Sequence, residues 1–379
     1  MKLLSTLMMS LVIVFLILPD QLLAKEKPNL QSMGSLEFSP DGVLFIGDSK
    51  AGAVYAFEMN EAAADVEDKN LNISDIEGKI AALLGTTGNE ILIHDMAVNP
   101  VSHNTYLSVS RGRAKWTTKW QLPNDLIEAS ILLKIDPEGN IEEANLDNTS
   151  FSKASIPNPV DNEKKHPWKK EIKLRVDAIT QIVYHEGKVY VAGLSNEEFS
   201  SAMWVASYPF KENVSITTLE IYHGAHGQYE THAPIRAFLP YQINNESHVM
   251  AAYLCTPLVT FPTKDMQDNT HLKGKTVAEF GAGNYPLDMV LYQNNRKDLI
   301  LMSNSQLPLL IFDPEDVESY EGEITEEVKG YLAGVKYTPR SGSGIQQLDN
   351  FSDKFILATQ RMPNGELALI SLSKEWLMQ

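Results

Sequence analysis

The sequence predicts an all-β chain folded as a six-bladed β-propeller of four-stranded antiparallel blades, with a seven-bladed ring as the alternative. Three observations predict it. One order of events recurs six times, the segments carrying it are short apolar runs bounded by turn residues, and no long segment has helical period. The order is short strand, tight turn, stronger strand, polar break, third strand, at intervals of roughly 60 residues with one interval lengthened. Many short antiparallel strands in six similar units suit a radial array better than a sandwich.

The chain begins "MKLLSTLMMSLVIVFLILPDQLLAK", with an early Lys2, an apolar run from Leu11 to Leu18, Pro19, and Ala24 before Lys25. This has the layout of a secretory signal peptide. Residues 1–24 are therefore expected to be removed near Ala24 and the chain exported, to the periplasm or the exterior; residues 25–379 form the propeller. The apolar stretch is shorter than the ~20 residues that span a bilayer, so a membrane-embedded protein is not expected.

The most regular unit is "LEFSPDGVLFIGDSKAGAVYAFE", residues 36–58, where Pro-Asp-Gly makes the hairpin turn. The second unit starts at "HDMAVNP" and is interrupted at about 113–128, a Trp- and Lys-containing insertion before "SILLKID". The third is "DAITQIVYHEGKVYVAGL…SSAMWVASYPF", and the long interval before it holds a second insertion at about 148–174, read as an exposed excursion. Units four to six start at "APIRAFLP", "PLDMVLYQ" and "GIQQLDNF". Outer strands are assigned to "GKIAALLG", "NIEEANL", "SITTLEIYHG", "GKTVAEFGAG" and "VKGYLAGVKYT". The stretches "NEAAADVED" and "PEDVESYEGEITEEV" are read as short acidic helices. No outer strand follows the sixth unit, so residues 25–32 are expected to supply it and close the ring, because an open array leaves unpaired edges.

Residues 36–58 resemble the repeat of six-bladed propellers of the NHL and gluconolactonase (regucalcin-like) group, whose units read apolar, Pro-Asp-Gly, second strand, polar, third strand. The likeness beyond that stretch is architectural. Gluconolactonases hold a divalent metal in the central channel through Glu, Asn and Asp and usually carry Glu-Gly-Pro in the first unit. Here the place reads "SMGSLEF", with Glu37 and no Gly-Pro after it.

In a propeller the entries to the inner strands and the turns between second and third strands share one face around the axis. The entries offer His94, Asp95, Arg175, Asp177, His232, Arg236, Asp288 and Gln346. The turns offer Asp48, Ser49, Arg111, Asn196, Asn304 and Arg361. Asp95, Asp177 and Asp288 are the candidate ligands of a divalent cation such as calcium, because carboxylates suit a hard cation. His94 and His232 are the candidate general bases. Asp48, Arg111, Asn196, Arg236, Asn304 and Arg361 are the candidate ligand-binding residues, the guanidinium forks being suited to a carboxylate or phosphate. "YHGAHGQYETHAP" also gathers His223, His226 and His232 beside Tyr229 and Glu230, residue types that hold zinc or copper, although the spacing fits no zinc signature.

The expected function is binding of a small-molecule or polymer ligand at the channel mouth. The alternatives are a metal-assisted hydrolase or lactonase, and a scaffold for another protein. A net charge of −17 spread along the chain argues against nucleic acid as partner. The single cysteine, Cys255, rules out an intrachain disulfide. The expected state is a monomer.

Overall fold

The computed structural model describes residues 27–66, 69–112, 130–167, 170, 172–211, 213–254, 256–281, 283–330 and 332–377. The leader expected at residues 1–24, the insertion expected at 113–128 and Cys255 lie outside the described residues.

The first unit folds as its alternation and turn chemistry dictate. Strands Leu36–Phe38, Val43–Asp48 and Ala53–Glu58 pair antiparallel. At the Pro-Asp-Gly turn the Gly42 N–H donates to the Ser39 carbonyl at 2.9 Å, with Gly42 at φ +83°, where a side chain would be strained. The other five units make corresponding sheets, giving six blades and not seven. The inner strands are Leu36–Phe38, Ile91–Val98, Gln181–His185, Ile235–Ile243, Pro286–Asn294 and Ile345–Asn350, which define blades 1 to 6 in chain order.

The order of blades around the ring is not the order along the chain. Blade 1 lies between blades 2 and 3, and blade 2 between blades 1 and 6. An apolar cluster fills each junction. Leu44, Tyr55 and Tyr106 pack between blades 1 and 2, and Phe45, Ile182 and Trp204 between blades 1 and 3. Leu107, Leu133 and Leu357 pack between blades 2 and 6. Three more clusters fill the junctions of blades 3 with 4, 4 with 5, and 5 with 6. Burial of this apolar surface, worth roughly 25 cal/mol per Å², is what holds neighbouring blades together.

Two outer strands therefore come from unexpected places. Blade 1 is completed by Phe151–Ser155, which pairs with Ala53–Glu58, so the stretch 148–174 begins as a strand of the ring and not as an excursion. Blade 6 is completed by residues 71–73, not by residues 25–32. Ile73 and Leu369 exchange backbone hydrogen bonds of 2.8 and 2.9 Å, and the Leu71 N–H donates to Ser371 Oγ at 2.8 Å. The N-terminal segment instead wraps the Asp48 turn, with Gln31 N–H donating to Asp48 Oδ2 at 2.6 Å and Ser32 Oγ to Oδ1 at 2.8 Å.

The segment expected as the outer strand "GKIAALLG" is part of the helix Ile76–Leu84. Asp75 caps it by accepting from Gly78 N–H at 3.1 Å, and Gly85, at φ +65°, ends it. Its buried face, Ile76, Ile80 and Ala81, packs on the junction of blades 2 and 6. The stretch 60–66 of "NEAAADVED" is not helical, whereas Pro314–Glu318 is.

Candidate functional site

Four inner strands carry a β-bulge at the same place, near their entry from the axial face. The register shifts fall at Ile93/Asp95, Ile235/Ala237, Pro286/Asp288 and Ile345/Gln347. A bulge inserts one residue and re-aims side chains; here the extra residues are His94, Arg236, Leu287 and Gln346. With Ser35 of blade 1 and Gln181 of blade 3 they line a cavity of about 70 Å³ at the channel mouth. All six blades contribute to it.

Four carboxylates and one carboxamide of the inner strands tie the ring together. Asp95 Oδ2 accepts from Leu36 N–H of blade 1 at 2.8 Å, Asp288 Oδ2 from Leu348 N–H of blade 6 at 2.7 Å, and Asp349 Oδ2 from Val98 N–H of blade 2 at 2.7 Å. In each, Oδ1 accepts from the next residue's own N–H. Glu37 Oε1 accepts from Tyr184 N–H of blade 3 at 3.1 Å, and Gln181 Oε1 from Phe238 N–H of blade 4 at 2.5 Å. All five bonds point the same way around the ring. Among the described residues only the junction of blades 4 and 5 lacks one, and there blade 4 carries Arg236.

Enclosure makes these acids hard to ionise. Burial pushes Asp95 up to about 6, with two N–H donors and Arg236 opposing, and Asp177 up to about 6, with Arg236 opposing. Burial, reinforced by neighbouring carboxylates, pushes Asp349 up to about 7 and holds Asp288 and Glu37 well above the usual carboxylate range. Arg236 is itself lowered by burial, against the attraction of Asp177, Asp95 and Asp288. Its buried Nε has no hydrogen-bond partner among the described residues.

The structure brings His94, Asp95, Asp177, Arg236 and Asp288 together at this mouth. His94 Nε2 lies 2.6 Å from Ser110 Oγ. Two features weigh against the calcium-ligand reading of Asp95, Asp177 and Asp288. Both oxygens of Asp95 and of Asp288 are engaged by backbone N–H groups, and a guanidinium stands among the three acids, repelling a cation. Glu37, the residue at the place of the gluconolactonase glutamate, is likewise spent on a blade junction.

The other expected residues lie elsewhere. His232 is exposed and does not line the mouth. Asp48 is buried and saturated by N–H donors from Gln31, Ser32 and Ala51 and the Ser32 hydroxyl. Arg361 forms a buried two-pronged ion pair with Glu77 of the helix, one prong being Nη2 to Oε1 at 2.9 Å. Arg111 is exposed and reaches the Gly85 carbonyl, Asn196 is exposed, and Asn304 is buried with its amide on the Met302 carbonyl and its Oδ1 on Asn284. The second-to-third-strand turns stand farther from the axis than the strand entries, and of the turn residues only Ser49 reaches the cavity. Sequence reading missed Asp349 and Gln181. For Asp349 the signal was a polar residue inside an apolar inner strand, in an Asp context that recurs as "HDM", "LDM" and "LDN".

No protein-family model and no curated protein matches the chain. Solved chains similar to it include one from a mitotic checkpoint complex (7% identity, 99% of each chain covered, TM-score 0.35). A chain from Thermus thermophilus named as an oxidoreductase (glucose dehydrogenase) is 11% identical over 92% of this chain and 99% of that one, TM-score 0.36. Drosophila Semaphorin 1b is 9% identical over 92% and 86%, TM-score 0.34. Likenesses this remote say nothing of activity; the propeller is read from the strand pairing itself. Among the described residues no helix is long and apolar enough to cross a membrane.

Proposed function

We propose that the protein binds a carboxylate, of a small molecule or of a polymer, at the channel mouth, with Arg236 as the anchor. The observation that carries this reading is the buried Nε of Arg236, without a hydrogen-bond partner among the described residues, at a bulge opening on a cavity fed by all six blades. A buried donor left without an acceptor costs folding roughly 1–3 kcal/mol, which a bound carboxylate offsets through a charge-assisted pair. The cavity volume of about 70 Å³ suits a head group and not a whole metabolite, so the body of the ligand lies outside on the axial face.

Asp177 and Asp95, both pushed up to about 6 by burial beside Arg236, supply the pH dependence. An anion entering beside Asp177, which unlike Asp95 is not held by backbone N–H groups among the described residues, favours its protonated form, so binding takes up a proton, and affinity falls by up to ~tenfold per unit as pH rises above about 6. Titration calorimetry with acetate and a sugar acid as probes tests this. Arg236→Met abolishes binding, Arg236→Lys retains part of it, and Asp177→Asn makes the pH profile shallower, Asp95 supplying what remains. Binding that survives Arg236→Met, or that strengthens as pH rises, overturns the reading.

The protein is further proposed to work outside the cytoplasm, residues 1–24 serving as its leader. Among the described residues just beyond, Lys27 Nζ pairs with Asp147 Oδ2 at 2.6 Å and Tyr55 Oη donates to the Asn29 carbonyl at 2.9 Å. N-terminal sequencing of the protein from an exporting host is expected to start near Lys25; retention of Met1 contradicts it.

A further inference from the structure

The outer strand of blade 3, Val214–His223, continues past its blade into a hairpin with Gln228–Glu230. Because it runs antiparallel to Ser201–Ser207, it ends on the same face as the channel mouth, at the rim toward blade 4. The turn is tight and fixed: His226 N–H donates to the His223 carbonyl at 3.1 Å and Gly227 N–H to that of Gly224 at 3.2 Å. A Cβ at Gly224 would lie 2.9 Å from Val328 Cγ2, so the hairpin is pressed onto the segment beside it.

Two imidazoles converge there on one carboxylate. His226 Nδ1 lies 2.6 Å from Glu230 Oε1 and His223 Nδ1 lies 3.1 Å from Oε2. Ligand atoms of the three residues lie within 4.8 Å of one another. His223 is fully buried and its other nitrogen is committed: Nε2 is 2.9 Å from Thr256 Oγ1, which donates its single hydrogen to Glu279. Thr256 therefore accepts from His223 Nε2–H, and Nδ1, which faces Glu230 Oε2 at 3.1 Å, is the nitrogen that can exchange that contact for an ion. Glu279 is itself fixed by Gly224 N–H at 2.6 Å. This is the arrangement in which a hydrogen-bonded outer group sets the tautomer of a metal-binding histidine.

We propose that His223 Nδ1, His226 Nδ1 and the Glu230 carboxylate form a binding site for a divalent transition metal of the zinc type, with its fourth position open to solvent. Two imidazoles and a carboxylate are a donor set zinc accepts with bonds of about 2.0–2.2 Å. Tetrahedral bonds of that length separate ligand atoms by ~3.3 Å, so the 2.6 Å contact has only to open by less than about 1 Å. Half-exposed His226 gives the ion its entry path. The ion also ties the turn of blade 3 to Thr256 and Glu279 of blade 4.

The test is calorimetry with zinc alone on the full chain, with cobalt(II) absorption as a second readout. One ion per chain is expected, with a visible cobalt band of a four- or five-coordinate site. His226→Ala, at an exposed position that does not endanger folding, weakens zinc at least about tenfold and removes the band. Thr256→Val weakens it about 10–100-fold, as loss of an outer partner does, while His248→Ala changes nothing. Failure to bind one ion, or binding unchanged in folded His226→Ala, overturns the proposal.

Discussion

The ion pair of Arg361 with Glu77 makes a sharp prediction, because the sequence suggests a ligand-binding arginine and the structure a clamp. Both side chains are 2% exposed. Glu77 lies in the first turn of the helix that follows the strand closing blade 6, so the pair fastens the closing segment to the blade it completes. Removing one partner of a buried pair leaves an uncompensated charge, at a cost of about 3–5 kcal/mol. Replacing both with apolar groups of similar volume removes the desolvation penalty as well and is close to neutral. Urea unfolding is therefore expected to show Arg361→Ala and Glu77→Ala each lowering stability by about 3–5 kcal/mol, and Arg361→Met combined with Glu77→Leu by far less than the sum. Carboxylate binding is expected to be unchanged in variants that remain folded. A loss below about 1 kcal/mol in both single variants, or a loss of binding without loss of stability, refutes the clamp.

Three further predictions concern the ring. Glu37→Gln keeps the acceptor for Tyr184 N–H and removes a carboxyl whose folded value lies well above its unfolded one. That group's stabilising effect is full at low pH and fades as pH rises from the unfolded carboxyl value of about 4.3 toward its raised folded value, so the variant gains on the wild type as pH rises through that window. Parallel pH curves in urea unfolding count against it. A Cβ at Gly193 would lie 2.1 Å from the Ala178 carbonyl oxygen, at the entry to blade 3. Gly193→Ala is expected to cost more than about 2 kcal/mol and to weaken carboxylate binding, whereas wild-type stability refutes the close approach. Ile73→Pro deletes the N–H that bonds to Leu369 and opens the edge of blade 6; hydrogen exchange is expected to rise first along Leu367–Ser373, and uniform protection contradicts this.

The inner three strands of each blade were legible because alternation and turn residues are local. The ring order was not, because any exposed sheet edge offers the same row of N–H and C=O groups, and nothing local says that "FSKAS" returns to blade 1. The helix Ile76–Leu84 was misread from its short apolar run, although Asp75, Ile76, Ile80 and Gly85 spell cap, stripe and stop. At the site, reading the strand entries pointed to His94, Asp95, Asp177, Arg236 and Asp288, which line one cavity. It did not reveal that Asp95 and Asp288 serve blade junctions, since a carboxylate bonded to a distant N–H looks the same in sequence as one awaiting a cation. Glu230 was visible beside its histidines, but which imidazole would meet it depends on the hairpin.

The most direct test of the binding reading is a crystal of the protein soaked with a bromine-labelled small carboxylate below about pH 6, where Asp177 takes up its proton. An anomalous bromine peak at the channel mouth, with the carboxylate within hydrogen-bond distance of Arg236 and the peak lost in Arg236→Met, is the predicted result. A channel mouth without ligand density while the label collects only at surface lysines contradicts the account.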